Sequence, residues 1–599
     1  MEHRGTPCTH ELGYTIRFPK VQWWKGTFLA LLHWNRESSA EVPSVVNPRA
    51  AMIQDSTPHR VFKIDELARL IASHLVLTSP KSTANLARTC RHLEVPVLST
   101  LWTTQSSLRT LLEVLPEENW DYYYPAETSW GVVRGLDLAF GRSDADVCDY
   151  HFQLVISGDP SPEAWNKVHR YASWMRKLHL NWFSPIEDDA ILKFRLNSPA
   201  SGWFPALQEL RWFITRSNIL YADLCSSPDL KKVSIYSSWF NSEVPHDLLP
   251  AAASIISALP TSVLQSISAD FDHHREVPWA YFEDAFSSAV LRCGPSLSDF
   301  ATPIPLSDAA MNHLIRLPHL RTWRIEHPPP NYSASSLPLG FPPLTEFTLG
   351  KGVAYEWLSL LKRLEDATQG VTPLYKVKES LKSLDVEGFP SPIIDPSLTS
   401  PIRMFYSLVS LDLGAHCHDE GSPGQCSFKL NNSDITDLAM ALPRLESLLL
   451  GRPCFENVCP TTVACLLQIS VYCVKLKVLE IHFNTANIIE DLKGVSEDPQ
   501  LWELRSLPRC TLTHLDVAQI PLAPDELGFE TVAIGMVDIF PSLQSCQGYG
   551  FGWREVHKII NERAGNIVSE CWLPYTLVSP DTFLDRGTQL MGIQHPLTS

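Results

Sequence analysis

LESLLL at 445–450 and LKVLEI at 476–481 carry one frame: apolar, two residues of any kind, apolar, one of any kind, apolar. The last two apolar positions are two residues apart, so on an extended chain both side chains leave the same face and the residue between them leaves the other. The first apolar residue anchors the turn that leads into that strand. The frame returns at Leu207/Leu210/Trp212, Leu230/Val233/Ile235, Leu320/Trp323/Ile325, Leu344/Phe347/Leu349, Leu381/Leu384/Val386, Leu408/Leu411/Leu413 and Leu512/Leu515/Val517. Weaker copies begin at Val133, Met175, Leu264, Leu297 and Leu543.

Between frames lie segments such as 433–442 and 460–472, whose apolar residues fall at helical spacing. Strand alternating with helix at this period predicts an α/β leucine-rich-repeat solenoid, with a parallel sheet lining the concave face and helices outside. Frames begin 23 residues apart between Leu207 and Leu230 but 42 apart between Val133 and Met175, which implies insertions on the outer face. The consensus Asn, eight residues after the first Leu, is met by Leu476 and Asn484, whereas Thr215 and His416 stand there in other repeats. Turn geometry must therefore be held by something other than an Asn ladder. So many copies of one frame argue against an α/β enzyme.

The chain has 599 residues, too many for one compact core, and an ordinary balance of 44% hydrophobic and 19% charged residues. Its formal charge is −17 with no dense Lys/Arg run, which disfavours nucleic acid and anionic membrane as main partners. Fourteen Cys lie scattered, several on apolar stretches (Cys465, Cys473, Cys546), as in reduced cytoplasmic or nuclear proteins. The N-terminal apolar run at 28–32 is too short for a membrane span. Residues 1–55 show no period and read as a loosely ordered extension.

At Ile64 the character changes. Ile64, Leu67, Leu70, Ile71 and Leu75 recur at helical spacing, with Asp65 placed to cap the first turn. Ser79-Pro80 opens a second helix through Leu86 to Cys90, and a third opens at Pro96, bringing Val97, Leu98, Leu101 and Trp102 onto adjacent turns. Three helices in so few residues cannot seal their own apolar surface, so a partner or the following domain must cover it.

VFKIDELARLIASHL at 61–75 followed by LARTCRHLEVPVLSTLW at 86–102 resembles an F-box of the type common in fungal proteins, over about residues 60–104. The resemblance implies docking onto a Skp-type adaptor of a cullin-based ubiquitin ligase, with Ile64, Asp65, Leu67, Ile71, Leu75, Leu86, Leu101 and Trp102 at the adaptor interface. Asp65 stands where the family usually has Pro. The repeats, at 130–553, would then recruit a protein substrate, with a cap and tail at 554–599. The alternative is a repeat scaffold without ligase machinery, in which the helices serve only as a cap.

The residue between the two inward side chains of each strand must face the concave side. Read in order these are Arg211, Ser234, Arg324, Thr348, Asp385, Asp412, Leu449, Glu480 and Asp516, basic early and acidic late. The acidic run would favour a partner with a Lys/Arg-rich segment. No phosphate-cradling Gly-rich loop, nucleophile-elbow Ser or His-Glu-x-x-His motif is present, and neither an enzymatic activity nor a cofactor is expected. Asp270, Asp272, His273 and His274, and His416, Cys417, His418 and Cys426, lack recognised ligand spacing and read as polar loops rather than metal sites.

Overall fold

The computed structural model describes residues 65–123, 153–180, 186–237, 249–271, 280–326, 342–350, 358, 375–388, 394–415, 428–450, 459–497, 504, 507–517, 522, 526–548 and 551–563. Fourteen strands, from Thr104–Gln105 to Ser545–Gln547, form one sheet in strict chain order beyond a single skipped ribbon, and every adjacent pair is parallel. Helices such as Asn432–Ala441 and Ala464–Tyr472 alternate with the strands and pack against one another outside the sheet. The protein is an α/β leucine-rich-repeat solenoid.

The frame explains the core. Leu445, Leu448 and Leu450, then Leu476, Leu479 and Ile481, are buried in successive repeats, and Leu411 pairs in register with Leu448, which pairs with Leu479. Each repeat thus covers the apolar face of the one before it. Burying one such side chain contributes roughly 1.5–3 kcal/mol. The weaker frames from Met175, Leu264, Leu297 and Leu543 also lead into strands of this sheet, whereas the frame at Val133 lies outside the described residues.

The turn ahead of each strand is held by a ladder of backbone carbonyls. The residue just ahead of each strand accepts two N–H donors from the next repeat: Thr103 O from Arg176 and Lys177, Arg176 O from Gln208 and Glu209, Gln208 O from Lys231 and Lys232, and so on to Thr513 O from Gln544 and Ser545. Hydroxyls add a third donor at three steps: Ser298 Oγ to Gln265 O at 3.0 Å, Thr345 Oγ1 to Arg321 O at 3.3 Å and Thr513 Oγ1 to Lys477 O at 3.3 Å. Because the donors and acceptors are main-chain groups, the turn tolerates almost any side chain. Asn484 itself caps a local turn, its Oδ1 accepting from Ala486 N at 2.9 Å.

Ahead of the sheet stand three helices, α1 (Asp65–Thr78), α2 (Pro80–Thr89) and α3 (Arg91–Leu101). Ser79 caps α2, its side chain accepting from Ser82 N at 3.2 Å, with Pro80 in the first turn where no donor is lost. Asp65 lies in the first turn of α1, at the positive end of the helix dipole. One expectation needs correcting. The third helix opens at Arg91, not at Pro96, because the break falls at Cys90, which is extended at φ −158°. Pro96 is accommodated inside α3, where its carbonyl accepts from Ser99 Oγ at 3.0 Å and Thr100 Oγ1 at 2.8 Å.

The sheet reaches back to Thr104, ahead of residue 130 where the frames begin. Trp120–Tyr123 and Gln153–Ile156 form a separate antiparallel ribbon, and Trp120 Nε1 donates to Leu115 O at 3.0 Å. The extension at 1–55 and the tail beyond 563 lie outside the described residues, as does Ile64.

Candidate functional site

The first candidate surface is the helix trio. With about 100° per residue around a helix axis, Ala68 and Ala72 define the inner line of α1. Both are fully buried. Leu75, Ile71 and Leu67 step progressively away from that line and are half-buried, and beyond them Leu70 and Leu77 stand outward, 56% and 85% exposed. One apolar band therefore runs from the core of the trio into solvent. Val95 on α3 is exposed as well, at 44%. Glu66, Arg69, Leu70, Ser73, Thr100 and Thr103 line a shallow groove between α1 and the end of α3.

The opposite side of the trio is sealed. Trp102 was expected among the partner-facing residues, yet it is buried and stacks on Tyr171 of the helix Pro162–Ala172 at 4.7 Å between ring centroids. The reason is its place at the C-cap of α3, where the chain turns into the first strand. Leu86 and Leu101 are half-buried against the same core. Asp65 is exposed. Of the eight residues named from sequence, Leu67, Ile71 and Leu75 lie together on one band, while Trp102 serves packing; Leu70 and Leu77 extend that band furthest into water.

The second candidate surface is the concave sheet. The strand register places Arg211, Ser234, Ser268, Ala301, Arg324, Thr348, Asp385, Asp412, Leu449, Glu480 and Asp516 in a single row across neighbouring strands. Asp385 lies beside Asp412 and Glu480 beside Asp516, on strands about 4.8 Å apart. The early cations are neutralised on their own strands: Arg211 pairs with Glu209 at 3.1 Å and Arg324 with Glu326 at 3.3 Å. Glu209 also pairs with Lys177 at 3.1 Å, so the early cations of the row sit among carboxylates, and the row's own acidic side chains fall in its late half.

The register also adds residues that the frames alone did not supply. His179 occupies the row beside Arg211; burial, then Arg211, lowers its imidazole pKa below the ordinary value. Asn218, buried, donates to Leu180 O at 3.4 Å and Phe213 O at 2.9 Å, tying two repeats together three residues beyond the consensus Asn position. The buried thiols are unreactive by environment: burial pushes Cys293 and Cys473 up to about 12 and Cys510 up to about 11. Among the described residues no group of three or more metal-ligating side chains comes together, and Asp272, His273, His274, His416, Cys417, His418 and Cys426 lie outside them. No helix among the described residues is long and apolar enough to cross a membrane.

No family model matches the sequence, and no curated protein matches it. Among solved structures it is similar to that of the leucine-rich repeat-containing protein LegL7 from Legionella pneumophila, at 11% identity and a TM-score of 0.27, over 62% of this chain and 94% of that one.

Proposed function

We propose that the protein is a substrate-recognition subunit of a cullin-based ubiquitin ligase: the helix trio at 65–101 docks onto a Skp-type adaptor, and the solenoid holds a target protein. The chemistry then belongs to other subunits, and this chain contributes proximity. The observation that carries the reading is the band on α1, which leaves Leu70 and Leu77 in water on a trio too small to hide them. Together with the F-box-like sequence at 60–104, this is the surface a foreign subunit would cover. Full-length protein mixed with a purified Skp-type adaptor should co-elute, and Leu70→Asp/Leu77→Asp should abolish co-elution while leaving thermal stability unchanged. Failure of the wild-type protein to bind any Skp-type adaptor would reject the reading.

For the target, the acidic row Asp385, Asp412, Glu480 and Asp516 favours a segment rich in Lys and Arg, with Arg211 and Arg324 marking the other end of the groove. Capture of such a target should be lost in Asp412→Lys/Glu480→Lys/Asp516→Lys; unchanged capture rejects this assignment.

One observation favours a second reading. The stacking of Trp102 on Tyr171 makes the trio a cap for the first strand, as a repeat scaffold without ligase partners would need. A protein that binds its target but no adaptor would fit that reading.

A further inference from the structure

The early strands of the concave sheet carry a patch unlike the acidic row further along it. Register fixes three rows of concave-facing side chains there: Lys177, Glu209 and Lys232 in the first, His179, Arg211, Ser234 and Ser268 in the second, and Phe213, Tyr236 and Asp270 in the third. Neighbours within a row are on strands about 4.8 Å apart. Lys177, Arg211 and Lys232 are exposed, and Phe213 and Tyr236 are half-buried. Ser268 Oγ donates to Ser234 Oγ at 2.8 Å, and these two short side chains leave a low floor beside the longer ones around them.

The charge of the patch runs against that of the chain. Glu209 is shared between Lys177 and Arg211, each at 3.1 Å, and Lys232 makes no ion pair among the described residues. Burial, then Arg211, holds the imidazole of His179 below its ordinary pKa, so the ring adds no charge at neutral pH. Three cations against Glu209 and Asp270 leave a surplus of one positive charge, in a chain of net charge −17. Past the patch come Asp299 and Arg324, of opposite sign, and only then the acidic row. Its first member, Asp385, is five strands from Lys232, about 24 Å away and beyond the ~8 Å over which charges are felt at physiological ionic strength.

We propose that this patch seats the acidic end of the target segment, a carboxylate between Arg211 and Lys232 with an aromatic or aliphatic side chain beside it on Phe213 and Tyr236. The proposal rests on the reading of the concave sheet as the target surface and is independent of adaptor binding by the helix trio. A surplus of one charge suits one carboxylate. A nucleic acid is a poorer fit, because its charge is continuous and the same sheet turns acidic from Asp385 onward. The target segment thereby gains a direction. Its carboxylate and its Lys/Arg residues must be separated by at least about seven residues, the number that spans 24 Å at ~3.4 Å each. The same residues in a shorter span reach only one end of the groove.

The test uses full-length protein and a fluorescent peptide carrying Glu-Phe, a spacer of about eight Gly and Ser residues, and Lys-Arg-Lys. Saturable binding is expected, weakened about tenfold when the peptide's Glu is exchanged for Gln, its Phe for Ser, or its spacer is cut to about two residues. Lys232→Glu, and separately Arg211→Gln, should weaken it by a similar factor; both side chains are exposed, and thermal melts check that the fold is kept. A peptide with Lys-Phe in place of Glu-Phe should bind Lys232→Glu better than the wild type. Equal binding of the Gln and Ser peptides, or no effect of Lys232→Glu, overturns the proposal; if Asp412→Lys/Glu480→Lys/Asp516→Lys still abolishes binding, the acidic-row reading survives alone. Loss in Lys232→Glu but not in that triple variant supports the patch and rejects the acidic row. No binding of the peptide by the wild type, or preferred binding of a single-stranded oligonucleotide that Lys232→Glu removes, also overturns the proposal.

Discussion

Leu411, Leu448 and Leu479 in the solenoid are sealed on both sides by the same residue type one repeat away, whereas Leu70 and Leu77 in the helix trio face water. The two regions are built from similar residues but have different numbers of neighbours. A repeat in the middle of a stack has two, so its apolar face is covered from within the chain. The trio has one, reached through Trp102, and α1 buries only Ala68 and Ala72 against its two companions. Apolar surface left over at the trio is therefore available to another molecule, whereas the inward face of the solenoid strands is closed by its own repeats.

The contrast is most exposed to test at the junction. Trp102→Ala should cost about 3–5 kcal/mol of local stability, the range for truncating a buried large aromatic. Hydrogen exchange should then rise across 65–101 while the strands around Leu448 keep their protection; equal loss in both regions would show that the trio belongs to the solenoid core. A smaller effect is expected at the cap of α2, where Ser79→Ala should cost about 1 kcal/mol and lower the protection of 80–89 alone.

Within the solenoid, His179 gives a pH signature. Its folded-state pKa lies below the unfolded value because burial, then Arg211, disfavours the charged ring, so the unfolded chain takes up the proton first. Stability should be level above about pH 6.5 and decline as the pH falls through that value toward the lower folded pKa. Thermal melts of His179→Gln should lose part of that decline; an unchanged profile would remove His179 as its source. The smallest effect belongs to the outward band: Leu77→Ser should shift stability by less than about 0.5 kcal/mol, read from denaturant unfolding, since 85% of that side chain is already in water.

The solenoid was readable in the sequence wherever the frame uses large apolar residues, because two side chains two apart on one face need no tertiary knowledge. Thr104–Gln105 escaped that reading, since a two-residue polar strand has no alternation to detect. The carbonyl ladder was also invisible, as main-chain groups are common to every residue. At the trio, the spacing of Leu67, Ile71 and Leu75 was legible, but the fate of Trp102 depended on where Tyr171 would fold, some seventy positions later. Pro96 misled for a local reason: proline favours a first turn, yet the extended Cys90 placed the break earlier. The concave row was legible residue by residue, while the ion pairs that neutralise Arg211 and Arg324 required Glu209 and Glu326 to be seen beside them.

The claim on which the rest depends is that the outward band of α1 is completed by another protein. Hydrogen exchange of the full-length chain with and without a purified Skp-type adaptor tests it directly. Protection should increase over 65–78 and in the turn around Val95 on adaptor addition, with the strands from Ser383 to Asp516 unchanged. No change at 65–78, with or without protection elsewhere, would contradict it.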